Sequence, residues 1–204
     1  MKKQETAIAP TYAQFIKTID LCSDEQKQEY FDILRHQPRP DALCGRNVPA
    51  TLNVLSYGQL DDLRDASSKT NDIELAVELT RVLFGEELNL FGEDVNKVFG
   101  FVRFCTEELK RINELFSRLK PQYSSEELAA GADKLDFGSF GVLDWYAKRM
   151  GITNQNEVRS VAWVRIYQCM KNDHEQQMFE RRLHEVYMRK SGGSTHPRPA
   201  RPHK

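Results

Sequence analysis

The chain has 204 residues, of which 40% are hydrophobic and 29% charged, an ordinary composition for one folded domain or a domain with an appendage. Its 29 basic and 30 acidic residues leave a formal net charge of -1, which removes any global electrostatic case for nucleic acid or a membrane surface. No stretch approaches the apolar length of a bilayer span, and the opening MKKQETAIAP lacks the apolar core of a secretion signal, so the expected compartment is the cytoplasm.

In chain order, apolar residues at Tyr12, Phe15, Ile16 and Ile19 keep helical spacing. Ser23 reads as an N-cap, with acids in the first turn and Gln26 at the capping-box position, and its helix should stop by His36. The run QPRPDALCGRNVPA follows, where three prolines and a glycine forbid regular helix. We read 1–36 as an N-terminal helical arm and 37–50 as a linker or extended arm. The main body begins near Thr51. Ser56 can cap a helix through Ala66, Asn71 or Asp72 starts IELAVELTRVLF, and Gly85 ends it as a C′ residue. A loop at 88–92 follows.

The longest helix is expected over 93–120, closed by Pro121. Val95, Val98, Val102, Cys105, Leu109, Ile112, Phe116 and Leu119 step by three and four, a seam that would run about 40 Å. Its flanks lack the opposed charges of an exposed two-stranded coil, and Phe99, Phe101 and Phe104 widen the apolar face. That favours a helix central to a bundle. Beyond Pro121, Ser124 or Ser125 caps a short helix with Glu127 closing the box, and DFGSFGVLDWYAKRM reads as a helix capped by Ser139 and ended by Gly151. A helix carrying Val158, Val161, Val164, Ile166 and Tyr167 comes next. The last, over about 173–190, places Phe179, Leu183, Val186 and Tyr187 on one face and dense charge on the other. No convincing strand is expected. The fold class is all-α: a bundle of antiparallel helical hairpins over 51–190, with a disordered tail at 191–204.

One pattern occurs twice. Tyr57-Gly58-x-Leu60-x-x-Leu63 matches Phe137-Gly138-x-Phe140-x-x-Leu143, each followed by a second helix of similar residues, so a duplicated hairpin is one reading and coincidence the other. Either way Tyr57 and Phe137 read as core anchors, with glycine letting the backbone turn or approach a neighbour closely.

Chemistry-bearing motifs are scarce. There is no Gly-rich phosphate loop, GxSxG elbow or HExxH, and the acidic neighbours Asp61-Asp62 and Glu86-Glu87 point in different directions on a helix. Cys22, Cys44, Cys105 and Cys169 are spread singly, and neither His36 with Cys44 nor His174 with His184 has a metal-ligand spacing. We expect no catalysis, cofactor, metal or disulfide framework. From Arg181 onward seven Lys/Arg accompany one Glu, so Arg181, Arg182, Arg189 and Lys190 are the residues a nucleic-acid-binding alternative would use. Aromatics to stack bases are absent from the tail, which argues against it.

A resemblance sharpens this reading. AGADKLDFGSFGVLDWYAKRMGITNQNEVRSVAWVRIYQCMKNDHEQQMFERRLHEVY looks like the C-terminal part of tail assembly chaperones of long-tailed bacteriophages. Those show a small helix, a phenylalanine–glycine entry into an aromatic-rich helix, and a charged closing helix. SYGQLDDLRDA followed by DIELAVELTRVL likewise resembles their YGQ-x-x-DL opening, so the likeness lies within 51–187. The resemblance implies a non-enzymatic, self-associating protein of the bacterial host cytoplasm. It would coat a long helical tape-measure protein and recruit tail-tube subunits. A structural virion or connector protein is the neighbouring alternative. Grooves for an amphipathic helix would be lined by apolar residues beyond the needs of a core, for which Phe99, Phe101, Phe104, Trp145, Tyr146 and Trp163 are the candidates. For each of them an ordinary core role competes. The 95–119 seam and this aromatic surplus also motivate a homo-oligomer.

Overall fold

The computed structural model describes residues 10–68, 72–119, 121 and 123–192; the predicted tail beyond 192 lies outside them. The class is all-α. In chain order come α1 (Tyr12–Ile19), α2 (Asp24–Leu34), a two-stranded hairpin of β1 (Ala42–Leu43) and β2 (Arg46–Asn47), α3 (Tyr57–Ser67), α4 (Asp72–Phe84) and α5 (Val95–Ser117). Then follow α6 (Ser125–Ala129), α7 (Gly138–Met150), α8 (Gln155–Val158) and α9 (Trp163–Gly192). Short 3₁₀ turns at Leu52–Val54, Leu90–Gly92 and Ala132–Lys134 join them.

Local chemistry explains the starts. Thr11 with Gln14, Ser23 with Gln26, Ser56 with Gln59 and Ser124 with Glu127 form four reciprocal capping boxes, each satisfying backbone donors that a helix start leaves unpaired. Gly85 and Gly151 sit beyond the ends of α4 and α7 with positive φ, as expected. The start of α7 departs from expectation. Ser139 lies inside the helix, and the Asp136 carboxylate accepts from the Gly138 N–H at 2.8 Å instead. The two final helices of the sequence reading are partly one: α9 runs 30 residues without a break. No Gly or Pro interrupts it before its end, and Gln168–Asn172 and Lys171–Glu175 pairs at (i, i+4) carry it across the polar stretch that suggested a boundary.

The core is built around α5. Of the predicted seam, Val95, Val98, Cys105, Leu109 and Ile112 are buried and Val102, Phe116 and Leu119 half-buried, so it faces the protein's own interior, where Phe101 joins it. The α3–α4 hairpin contributes Tyr57, Leu60, Leu63, Ala76 and Leu79 to the same core. The first turns of α9 add Trp163 and Ile166, and the Trp163 indole N–H donates to the Leu52 carbonyl at 2.8 Å.

The expected linker at 37–50 is no linker. Pro40, Leu43 and Val48 are buried, and the Arg39 guanidinium donates to the Val48 carbonyl at 2.8 Å. Prolines there forbid a helix, but extended chain lying flat against α5 loses nothing by lacking N–H donors. Cys44 and Gly45, at φ 47 and 76, make the two-residue turn with both residues left-handed that a tight hairpin needs, and so strands exist where none was expected. The N-terminal helices are clamped as well: Tyr12 and Leu34 are buried, and Phe99 meets Phe15 edge-on with ring centroids 5.4 Å apart.

Two pairs of helices begin side by side in the same way. Thr11, which caps α1, lies in an antiparallel bridge with Asp94, which caps α5. The Tyr12 N–H donates to the Glu93 carbonyl at 2.8 Å and the Val95 N–H to the Pro10 carbonyl at 3.1 Å. Ser56 and Ala162 repeat the bridge, with Tyr57 N–H on Val161 O at 2.8 Å and Trp163 N–H on Leu55 O at 3.2 Å. Each bridge satisfies the first backbone donor of two helices, and each places a large apolar residue immediately after it in the core.

Candidate protein-docking surface

The core draws little on two stretches. No described residue from 113 to 142 is buried, and none from 167 to 190. Both stretches nonetheless carry large apolar side chains. Among the described residues, ten of the seventeen large hydrophobic side chains left exposed fall in them: Tyr123, Leu128, Leu135, Phe137, Phe140, and Phe179, Leu183, Val186, Tyr187, Met188. Scattered exposed apolar residues are ordinary, but such a concentration makes these stretches the candidate docking surface.

The long helix α9 builds one side. Its first turns are held in the core by Trp163 and Ile166, and its middle is tied to the end of α7 by Arg149, which donates to Asp173 Oδ2 at 2.6 Å. Beyond that no side chain through Lys190 is buried. At 1.5 Å per residue, α9 as a whole is about 45 Å long. Phe179, Leu183 and Val186 step by four and three and so share one face, with Tyr187 beside Leu183. The described residues of 118–142 form the second side. The ion pair of Arg181 with Glu127, at 3.5 Å, holds α6 near the outer part of α9. Between them opens a cleft of about 820 Å³ lined by Tyr123, Glu127, Met178, Arg181 and His184. The arrangement is long and shallow, a shape that accepts a helix more readily than a small molecule.

The aromatics expected to line a groove stand elsewhere. Phe101, Phe104, Tyr146 and Trp163 are buried, where they fill the core. Phe101 stacks on Phe84 with centroids 5.9 Å apart. Phe99 is half-buried among Tyr12, Phe15 and Phe31. Trp145 is half-buried beneath the Arg149 guanidinium, 5.7 Å from the ring centroid. Of the two expected anchors, Tyr57 is buried but Phe137 is 71% exposed. The α9 stripe carried a readable signal, its one-sided apolar pattern; the 123–140 residues carried none, because they keep no period.

The basic residues of the alternative reading lie along the same outer part of α9. Arg181 pairs with Glu127 and Arg189 with Glu185 at 3.8 Å, and Glu180 stands beside them. Two of the four cations are therefore engaged by carboxylates of the same chain, where a phosphate-binding track keeps its cations for the ligand. Asp61 and Asp62, which helical spacing sets in different directions, both serve one cation: Arg159 reaches Asp61 Oδ2 at 3.4 Å and Asp62 Oδ1 at 2.7 Å, fixing the turn before α9 against α3. Among the described residues no group of His, Cys, Asp and Glu gathers to hold a metal ion, and no helix is long and apolar enough to cross a membrane. Burial pushes the Cys105 thiol far up, which leaves it unreactive.

No protein-family model, curated protein or solved structure matches the chain.

Proposed function

We propose that this protein acts without catalysis, as an assembly chaperone or scaffold that holds an amphipathic helix of another protein against α9 and the 123–140 segment. The observation that carries the reading is the concentration of exposed large apolar side chains on these two stretches. Together with the resemblance of 51–187 to tail assembly chaperones of long-tailed phages, it names the partner class: a long helical tape-measure protein, with tail-tube subunits recruited later. The site of action is then the cytoplasm of a bacterial host. A stripe with residues at (i, i+4, i+7) spacing, flanked by charges of both signs, is complementary to a second helix that carries its own apolar stripe and polar flanks.

The test is recovery of partners by tagged protein from its host, analysed by mass spectrometry and by absorbance for nucleic acid. Wild type should retain a long helix-rich protein. The double substitution Phe179→Asp with Leu183→Asp should lose it while circular dichroism and the melting temperature stay unchanged, because neither side chain is part of the core. Burial of two such side chains is worth about 3 kcal/mol or more, roughly a hundredfold in affinity. Retention by the double variant, or recovery of nucleic acid that salt removes and no protein, overturns the proposal.

A further inference from the structure

The Leu135–Phe137–Phe140 surface is explained by comparison with the two paired helix starts. Thr11-Tyr12-Ala13-Gln14-Phe15 opens α1 and Ser56-Tyr57-Gly58-Gln59-Leu60 opens α3; Asp136-Phe137-Gly138-Ser139-Phe140 repeats the pattern at α7. In the first two, the residue after the cap is buried, Tyr12 to 3% and Tyr57 to 2% exposure, because the start is bridged to that of another helix. Among the described residues the third start has no such bridge. Leu135, Phe137 and Phe140 are there 65%, 71% and 62% exposed. The Asp136 carboxylate, one residue ahead of the cap position at Phe137, already accepts from the Gly138 N–H at 2.8 Å, the same bond that Asp94 accepts from the Asn96 N–H at 2.8 Å. The helix itself begins a residue late, with Gly138 at φ 54. A glycine there can turn either way, so Phe137 is able to become the first helical residue as Tyr57 is.

The occupant follows by elimination. In each bridge the two members are related by a local twofold, since each start donates one N–H and accepts one, so two identical starts can satisfy it. Every bridged start puts Tyr12, Val95, Tyr57 or Trp163 into the core, and these four are taken within the chain. Of the other starts, α2, α4, α6 and α8 open on Asp24, Asp72, Ser125 and Gln155, all polar. A second copy therefore offers one matching start, its own α7.

We propose that two copies of this chain pair through the starts of α7, with Asp136 opposite Asp136 of the second copy. Each Phe137 N–H donates to the other copy's Leu135 carbonyl, and the two sets of Leu135, Phe137 and Phe140 close over one another. This pairing takes Leu135, Phe137 and Phe140 from the surface proposed above and leaves a foreign helix the outer part of α9 with Tyr123 and Leu128.

Sedimentation of the full chain over a range of concentrations tests it. A monomer–dimer equilibrium is expected, weakened at least tenfold by Phe137→Ser or Phe140→Ser at unchanged circular dichroism and melting temperature. In the predicted bridge the two Cα atoms at 136 stand about 4.5 Å apart, within disulfide range. Asp136→Cys should therefore give, on mild oxidation, a covalent dimer whose 136–136 link is found by peptide mapping. A chain monomeric at every concentration overturns the proposal, as does a dimer indifferent to Phe137→Ser or one lost only in Leu183→Asp. Loss of partner capture in Phe179→Asp/Leu183→Asp with the dimer intact separates this pairing from the binding of a foreign helix.

Discussion

A β-carbon built on Gly100 would lie 2.1 Å from the carbonyl oxygen of Pro38, which is backbone and has nowhere to go. Here glycine is required by contact, since it sits within a helix with ordinary φ. Gly100→Ala should push the 37–50 segment off α5 and cost about 2 kcal/mol, seen as a lower midpoint in urea. At Gly58 the added carbon would meet Arg159 Cβ at 2.9 Å and its carbonyl at 3.0 Å, a close approach that the aromatic–glycine pattern in the sequence suggested. Nothing local marks Gly100 in the same way. VFGFVRF reads as any apolar helix with a tolerated glycine, and the atom that forbids a side chain belongs to a distant proline. Phe137 fails as a core anchor for a related reason: its pattern matches that of Tyr57, but burial depends on a bridge to another helix, which a pattern cannot contain.

Single carboxylates pin α5 to the N-terminal segments. Glu108 accepts from the Leu52 N–H at 2.8 Å and from Arg111 at 2.7 Å. The Arg111 hydrogen bond, opposed by partial burial and joined by the Leu52 N–H, holds its carboxyl below the usual range. Glu93 is raised by burial, yet the Cys44 and Asp94 N–H groups and Lys97 bring it below its ordinary value. Both folded values are thus depressed. Their contribution is present above the ordinary glutamate range and is lost as pH falls through the folded values. Glu108→Gln should destabilise the protein at pH 7, and the difference from wild type should shrink at pH 3 in urea unfolding. Equal differences at the two pH values would refute the assignment. At this scale the sequence was largely legible, because capping boxes and C-terminal glycines are local chemistry. The exceptions were the ends of α7 and α9. At α7 the cap position is Phe137 and the Gly138 N–H turns to Asp136, which leaves Ser139 inside the helix, and a polar stretch without Gly or Pro continues a helix where it looked like a boundary.

For the whole molecule, the all-α class and the burial of the α5 seam follow from periodicity, whereas the placement of 10–50 does not. A proline-rich run carries no period, so its burial depends on tertiary contacts, the close fit to α5 and the bonds of Cys44 to Glu93 and of Gln37 to Arg103 among them. A chain lacking the first 50 residues should consequently lose the contributions of Tyr12, Leu34, Leu43 and Val48 to the core. It should melt without a cooperative transition or precipitate. A sharp, unshifted melt would show that the first helices are dispensable. The candidate surface was half legible for the same reason: α9 advertises its stripe by period, while the aromatics nominated for a groove were needed inside.

The two bridged starts also overlap along the chain. One joins Thr11 to Asp94, the other Ser56 to Ala162, so each closure contains an end of the other. On a ribosome, the first cannot form until the start of α5 has left the exit tunnel, and the second waits for α9, the last helix described. Until then the core that α3, α4 and α5 share lacks Trp163 and Ile166. The chain thus spends most of its own synthesis with its core unfinished, and its maturation should slow whenever cellular chaperones are depleted.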